Sequence, residues 1–188
     1  MPLLNYAMVN AKELLKMAAR YQCAFTLIEL LTVLAVLSIL VAVVAPATGR
    51  MHDAARKTAL TNDFISTLNF ARATAIMRRQ PVQLCGGEQA CVASRKWQQA
   101  LIVTKESALP NSTQDPLKVT PLPSDYHWAW AGFQRSKTTL LFLSNGVTND
   151  QNGSFILCKK NQPVNRVTIN KTGRSYPASL RKTDRCDD

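Results

Sequence analysis

Apolar residues dominate one long stretch of this chain. From Phe25 to Gly49 the run FTLIELLTVLAVLSILVAVVAPATG carries a single charge, Glu29. It is long enough for the roughly 20 apolar residues that cross a bilayer as a helix. Lys12, Lys16 and Arg20 precede it with one acid, Glu13, and positive residues on that side put the N-terminus in the cytoplasm. The pattern then changes period. Leu60, Phe64, Leu68, Ala71 and Ala75 recur at three and four residues, with Arg56, Lys57, Asp63 and Arg72 between them. That spacing predicts an amphipathic helix with one buried stripe, ended by Gln80-Pro81. Beyond Pro81 come short β-like runs: Val82–Cys85, Ala100–Thr104, Thr138–Leu143, Ser154–Cys158 and Arg166–Ile169. Gly86-Gly87, Asn145-Gly146, Asn152-Gly153 and Thr172-Gly173 supply turns between them. Tyr126–Trp130 alternates like a strand and sets Trp128 and Trp130 on one face, to be packed. The stretch from Ser107 to Ser124, rich in Pro, Ser, Thr and Asn, is expected to be an exposed loop.

An ordinary secretory signal has a shorter apolar core and small residues at its far end, and Ala45-Pro46-Ala47 has that look. Glu29 argues otherwise. A carboxylate inside an apolar helix costs about 3 kcal/mol even on lenient insertion scales, so it normally has a partner and a task. The residues Ala24-Phe25-Thr26-Leu27-Ile28-Glu29-Leu30-Leu31 resemble the type IV prepilin cleavage site. The resemblance implies a cut by prepilin peptidase between Ala24 and Phe25, methylation of the new N-terminus, and retention of the apolar helix. It makes Glu29 the partner of the Phe25 ammonium on a neighbouring subunit, which offsets the burial of both charges. It also accounts for Pro46 inside the helix. Ala24 stands where the family usually has Gly. A start at Met17 would leave a leader of ordinary length.

After the helix the chain is similar to the GspH/FimT group of minor pilins and pseudopilins. The stretches concerned are Val82–Cys85, Cys91 followed by Trp97, Phe142–Gly146, Gly153–Cys158, and Val167-Thr168-Ile169 leading to Thr172-Gly173-Arg174. The implied fold is α+β: a long N-terminal helix, its first half transmembrane, packed on a small antiparallel β head. The expected divisions are a cleaved leader over 1–24, a transmembrane helix over 25–49, its amphipathic continuation over 50–79 and a periplasmic head over 80–188.

Composition adds cysteine and charge. There are five cysteines, with no CxxC pair and no histidine near one, which speaks against zinc. Cys23 leaves with the leader. The other four lie outside the cytoplasm, where disulfides form. They allow three pairings, of which Cys85–Cys91 and Cys158–Cys186 are favoured. The first closes a tight turn and the second ties the tail to a strand, for about 2.4 and 3.6 kcal/mol in the chain-entropy account.

The formal charge is +11, which points to anionic partners. From Lys159 to Thr183 there are seven basic residues and no acid: Lys159, Lys160, Arg166, Lys171, Arg174, Arg181 and Lys182. A solvated surface is the plain reading. The functional one is a phosphate-binding face, with affinity but no base specificity, where Tyr176 offers a ring to an unpaired base. In the FimT branch a C-terminal Gly-Arg-x-Arg motif goes with DNA binding during uptake for natural transformation. Here the residues are Gly173-Arg174-Ser175-Tyr176, with Tyr176 in place of the second Arg and Arg181 and Lys182 as substitutes for it.

No nucleotide-binding loop, zinc-protease helix or nucleophile elbow is present. His52-Asp53 has no nucleophile nearby in the sequence, and His127, within the strand-like Tyr126–Trp130, reads as a surface or packed histidine rather than a base, so neither an enzyme nor a cofactor is expected. The reading is a minor type IV pilin, anchored in the bacterial inner membrane with a periplasmic head. It would bind DNA nonspecifically, and other pilins in the filament. The alternative is a structural minor pilin or type II secretion pseudopilin that primes filament assembly without DNA.

Overall fold

The structure, a computed structural model, describes residues 25–106, 116–132 and 138–186; the side chains at 43–47 and 50 are outside that set. The leader with Cys23 and Ala24, and residues 107–115 of the expected loop, also lie outside it. Helix α1 spans Leu27–Arg78. Thr26 caps it: the Glu29 N–H donates to Thr26 Oγ1 at 3.3 Å. Thr26-x-x-Glu29 is the spacing of a capping box, and an acid in the first turn suits the positive end of the helix dipole. The helix runs on through position 46. Its described side chains from Leu27 to Ala42 are exposed. Among the described residues, no helix is long and apolar enough to cross a membrane.

The chain divides into two compact units, and the strands belong to the second, His52–Asp188. Within it Leu60, Phe64, Leu68, Ala71 and Ala75 are all buried, as their spacing predicts. Thr61, Thr67 and Thr74 share that burial. Thr61 and Thr67 donate back to the Lys57 and Asp63 carbonyls, each at 2.8 Å, and so satisfy hydroxyls inside an apolar stripe. The helix stops in a Schellman arrangement. Arg79 takes a φ of +51°, and the N–H groups of Arg79 and Gln80 return to the Ile76 and Ala75 carbonyls. Pro81 then prevents continuation.

Nine strands follow among the described residues: β1 Val82–Gly87, β2 Lys96–Trp97, β3 Ala100–Lys105, β4 Lys118–Pro121, β5 Tyr126–Gly132, β6 Leu140–Phe142, β7 Gly153–Lys159, β8 Gln162–Ile169 and β9 Ser175–Ala178. They form a sheet of order β4-β3-β1-β6 and a sheet of order β2-β5-β7-β8-β9. All of these strand pairs are antiparallel. The loop expected from Ser107 to Ser124 needs correction at its end, where Lys118–Pro121 pairs with β3. Its signal is a hydrogen bond between Thr120 and Thr67 on α1, 3.0 Å long, a contact no local pattern encodes.

Phe64 organises the core. Its ring stacks on Trp128 at 4.1 Å and meets Phe155 edge-on at 4.9 Å. Trp130, on the same face as Trp128, packs on Phe155 at 4.6 Å. Alternation in β7 sends Phe155 and Leu157 into this core. It turns Ile156 and Cys158 to the opposite face of the sheet, where they join Ala129 and Cys186 in a second, smaller apolar cluster.

Candidate functional site

The C-terminal segment is drawn onto that outer face by two ties. One is the disulfide Cys158–Cys186, with Cα atoms 6.0 Å apart. The other is ionic. Arg166 stands on β8 opposite Ile156. Its Nη1 donates to Asp184 Oδ1 at 3.1 Å, and its Nε to Ser154 Oγ at 2.9 Å. Both side chains are buried, at 8% and 6% exposure. Asp184 Oδ2 also accepts the Arg181 N–H at 2.7 Å. Arg166 therefore leaves the set of phosphate-binding candidates. Its charge is paired with Asp184 beneath the tail, although the residue lines part of the groove described below.

The hairpin between β7 and β8 separates two further candidates from the rest. Lys160 and Asn161 take φ of +48° and +64°, the two left-handed positions of a type I′ turn. Lys159 lies beside it, 3.0 Å from Asp53 and over the Tyr126 ring. The hydrogen bond to Lys159 lowers the Asp53 carboxyl below its usual value, and the same bond raises the Lys159 ammonium. These residues sit at the start of β8, whereas Lys171 and Arg174 follow its end. At the rise of an extended strand that is roughly 20 Å. The acid-free run is thus two basic regions rather than one.

At the far end of β8 the chain turns through Asn170–Arg174. The Asn170 side chain accepts the Arg174 N–H at 2.9 Å and the Thr172 hydroxyl at 2.7 Å. Gly173 has a φ of +76° and faces the Gly146 carbonyl so closely that a Cβ has no room. Arg72 of α1 donates to that same carbonyl at 2.9 Å. The Asn145-Gly146 and Thr172-Gly173 turns are therefore one docked pair, and Arg174 projects from a fixed support. Lys171, Arg174, Arg181 and Lys182 are all exposed. Lys171 has an acidic neighbour, Asp150 at 3.7 Å, but both side chains are more than half exposed, so solvent screens that pair.

Between this turn and the tail lies an open groove of about 650 Å³ on the outer face of the sheet, bordered by Lys171, Tyr176 and Arg181. Tyr176, the residue in the place of a motif arginine, is half exposed beside it. Asp184, Ser154 and Asn170, which fix this region, were not singled out in the sequence; the only hint was that Asp184 ends the acid-free run.

The other bridge, Cys85–Cys91, closes a loop of 6 residues' separation after β1. His127, Cys158 and Cys186 come within 4.8 Å of one another, but both sulfurs are bonded to each other and offer no thiolate to a metal. Phe25 is exposed at the helix start.

The sequence model of the Type II transport protein GspH matches residues 60–173. The chain belongs to the GspH family. The prokaryotic N-terminal methylation motif matches residues 19–45, which brackets the Ala24-Phe25 junction. Among solved structures the chain is similar to the type IV minor pilin FimU of Pseudomonas aeruginosa. One crystal form aligns with a TM-score of 0.53 at 15% identity, covering 65% of this chain and 92% of that one. A second gives 0.52 at 15%, covering 66% and 91%. No curated protein sequence matches the chain. GspH-family membership and the shared α+β fold make this chain a minor pilin or pseudopilin of the GspH/FimT type.

Proposed function

We propose that this GspH-family chain is a minor pilin of a type IV pilus that binds DNA without sequence preference and contributes to DNA uptake. The observation that carries the reading is the exposure of Lys171, Arg174, Arg181 and Lys182 on the β8–β9 turn and the tail, with Lys171 and Arg181 bordering one groove. Such a group neutralises phosphates and releases their counterions. Nothing in it reads base edges in a duplex, so affinity is expected to be uniform across sequences. With four phosphates neutralised, log K should fall against log salt with a slope near −3.6. A salt titration of duplex binding by the full chain in neutral detergent measures it. Binding that is absent at low salt would leave the chain as a filament-assembly subunit.

The N-terminal part of the proposal is processing and anchorage. Cleavage between Ala24 and Phe25 by prepilin peptidase would leave N-methylated Phe25 at the head of α1. The helix would hold the protein in the inner membrane, with the head in the periplasm and other pilins as filament partners. Support comes from the methylation motif over 19–45 and from the exposed apolar side chains of Leu27–Ala42. Mass spectrometry of the membrane fraction should find methyl-Phe25. A mature terminus near Ala47 would mean an ordinary secretory signal.

A further inference from the structure

The groove beside Tyr176 has a construction that duplex binding does not use. Strand register sets Ala131, Ser154, Thr168 and Tyr176 in one row across β5, β7, β8 and β9. The first three are small and make a floor; Tyr176 stands at its edge as the large side chain. Lys171 borders the groove from the β8–β9 turn and Arg181 from the tail. The volume of about 650 Å³ falls in the range of sites for small ligands, roughly 300–1,000 Å³. The floor is polar: Ser154 and Thr168 share a hydrogen bond of 3.1 Å. Ser154 is buried and its Oγ also accepts from Arg166 Nε at 2.9 Å; when Ser154 donates to Thr168, the Thr168 hydroxyl keeps its own proton for an acceptor in the groove. The Arg166–Asp184 pair beneath is internally neutral, so the net charge at the rim is positive.

We propose that this groove holds a single unpaired nucleotide, so that the protein binds single-stranded DNA through a contact that duplex DNA lacks. The inference rests on the DNA-binding reading above and adds a subsite to it. A duplex keeps its bases paired and stacked, and can offer only phosphates to the rim cations. A strand with an unstacked base can lay that base against the Tyr176 ring. Its flanking phosphates then reach Lys171 and Arg181, and a base carbonyl accepts from the hydroxyl pair. Stacking of this kind tolerates any base, so the subsite adds strand selectivity without sequence selectivity.

Fluorescence anisotropy of the full chain in neutral detergent, with labelled oligo-dT and a duplex of equal length, tests the subsite. Tyr176→Ala should weaken oligo-dT binding about tenfold and change duplex binding less than about twofold. Tyr176→Phe, which keeps the ring, should behave as wild type. Two results overturn the subsite and leave general DNA binding standing: no effect of Tyr176→Ala on oligo-dT, or an equal loss on both DNAs. If the wild-type chain binds neither DNA, the broader reading falls with it.

Discussion

Replacing Asp184 with alanine is expected to lower the stability of the His52–Asp188 unit by about 3–5 kcal/mol. The Arg166 guanidinium is only 8% exposed and spends its Nη1 on that carboxylate. Without Asp184 it stays beneath the tail as an uncompensated charge. The disulfide to Cys186 keeps the tail tethered above it, which limits the access of water. The Arg181 N–H loses its acceptor in the same step. The cost belongs to the stranded charge rather than to the worth of the pair. Replacing both partners, as Arg166→Met with Asp184→Leu, should therefore recover most of the loss, since a well-packed apolar pair often matches a buried ion pair. Urea unfolding followed by tryptophan fluorescence reads both, because Trp97 and Trp128 are buried. A loss under about 1 kcal/mol for Asp184→Ala would put the pair in the class of surface bridges and the tail in loose contact with the sheet.

That pair also marks where the sequence stops being legible. The helix stripe from Leu60 to Ala75 is readable because each contact repeats within one or two turns and burial follows period. The same holds for β1, β3 and β7, where apolar runs end at glycines or charged residues. The two bridges follow the pairings favoured from the sequence, Cys85 with Cys91 and Cys158 with Cys186, each joining cysteines next to each other in the chain. Arg166 lies in a strand whose neighbours Val167 and Ile169 face the main core. Alternation therefore assigns it to the outer face, and an outer face reads as solvent. What covers it is a segment from residue 181 onward, and neither that contact nor the burial it causes has a local signature. Strand β4 has the same difficulty: Val119 and Thr120 sit among turn formers, and only pairing with Ile102 and Leu101 makes them a strand. Charge is misleading for a further reason. A run of cations along the chain is not a patch when a hairpin folds it, and β8 carries Lys160 and Lys171 to opposite ends of the sheet.

The division of the basic run leads to the largest expected change in binding. The variant Lys171→Gln, Arg174→Gln, Arg181→Gln removes three of the four exposed cations on the β8–β9 turn and the tail. Each phosphate contact contributes about 0.9 to the salt slope, so the slope should fall from near −3.6 to near −0.9. Counterion release makes each contact worth about tenfold in affinity at about 50 mM salt. The triple variant should then bind duplex roughly a thousandfold more weakly there, for all sequences alike. All three side chains are exposed, and exposed substitutions of this kind usually shift stability by no more than about 0.5 kcal/mol. An unchanged urea midpoint therefore separates lost contacts from lost structure. Lys160→Gln is the informative control. It lies in the same acid-free run but at the tip of the other turn, so it should change the slope far less than any one of the three. If Lys160→Gln costs as much as Arg174→Gln, DNA responds to net charge and not to the groove. If the triple variant binds as wild type does, the cations of the turn and tail are a solvated surface, and the role of the chain lies in filament assembly.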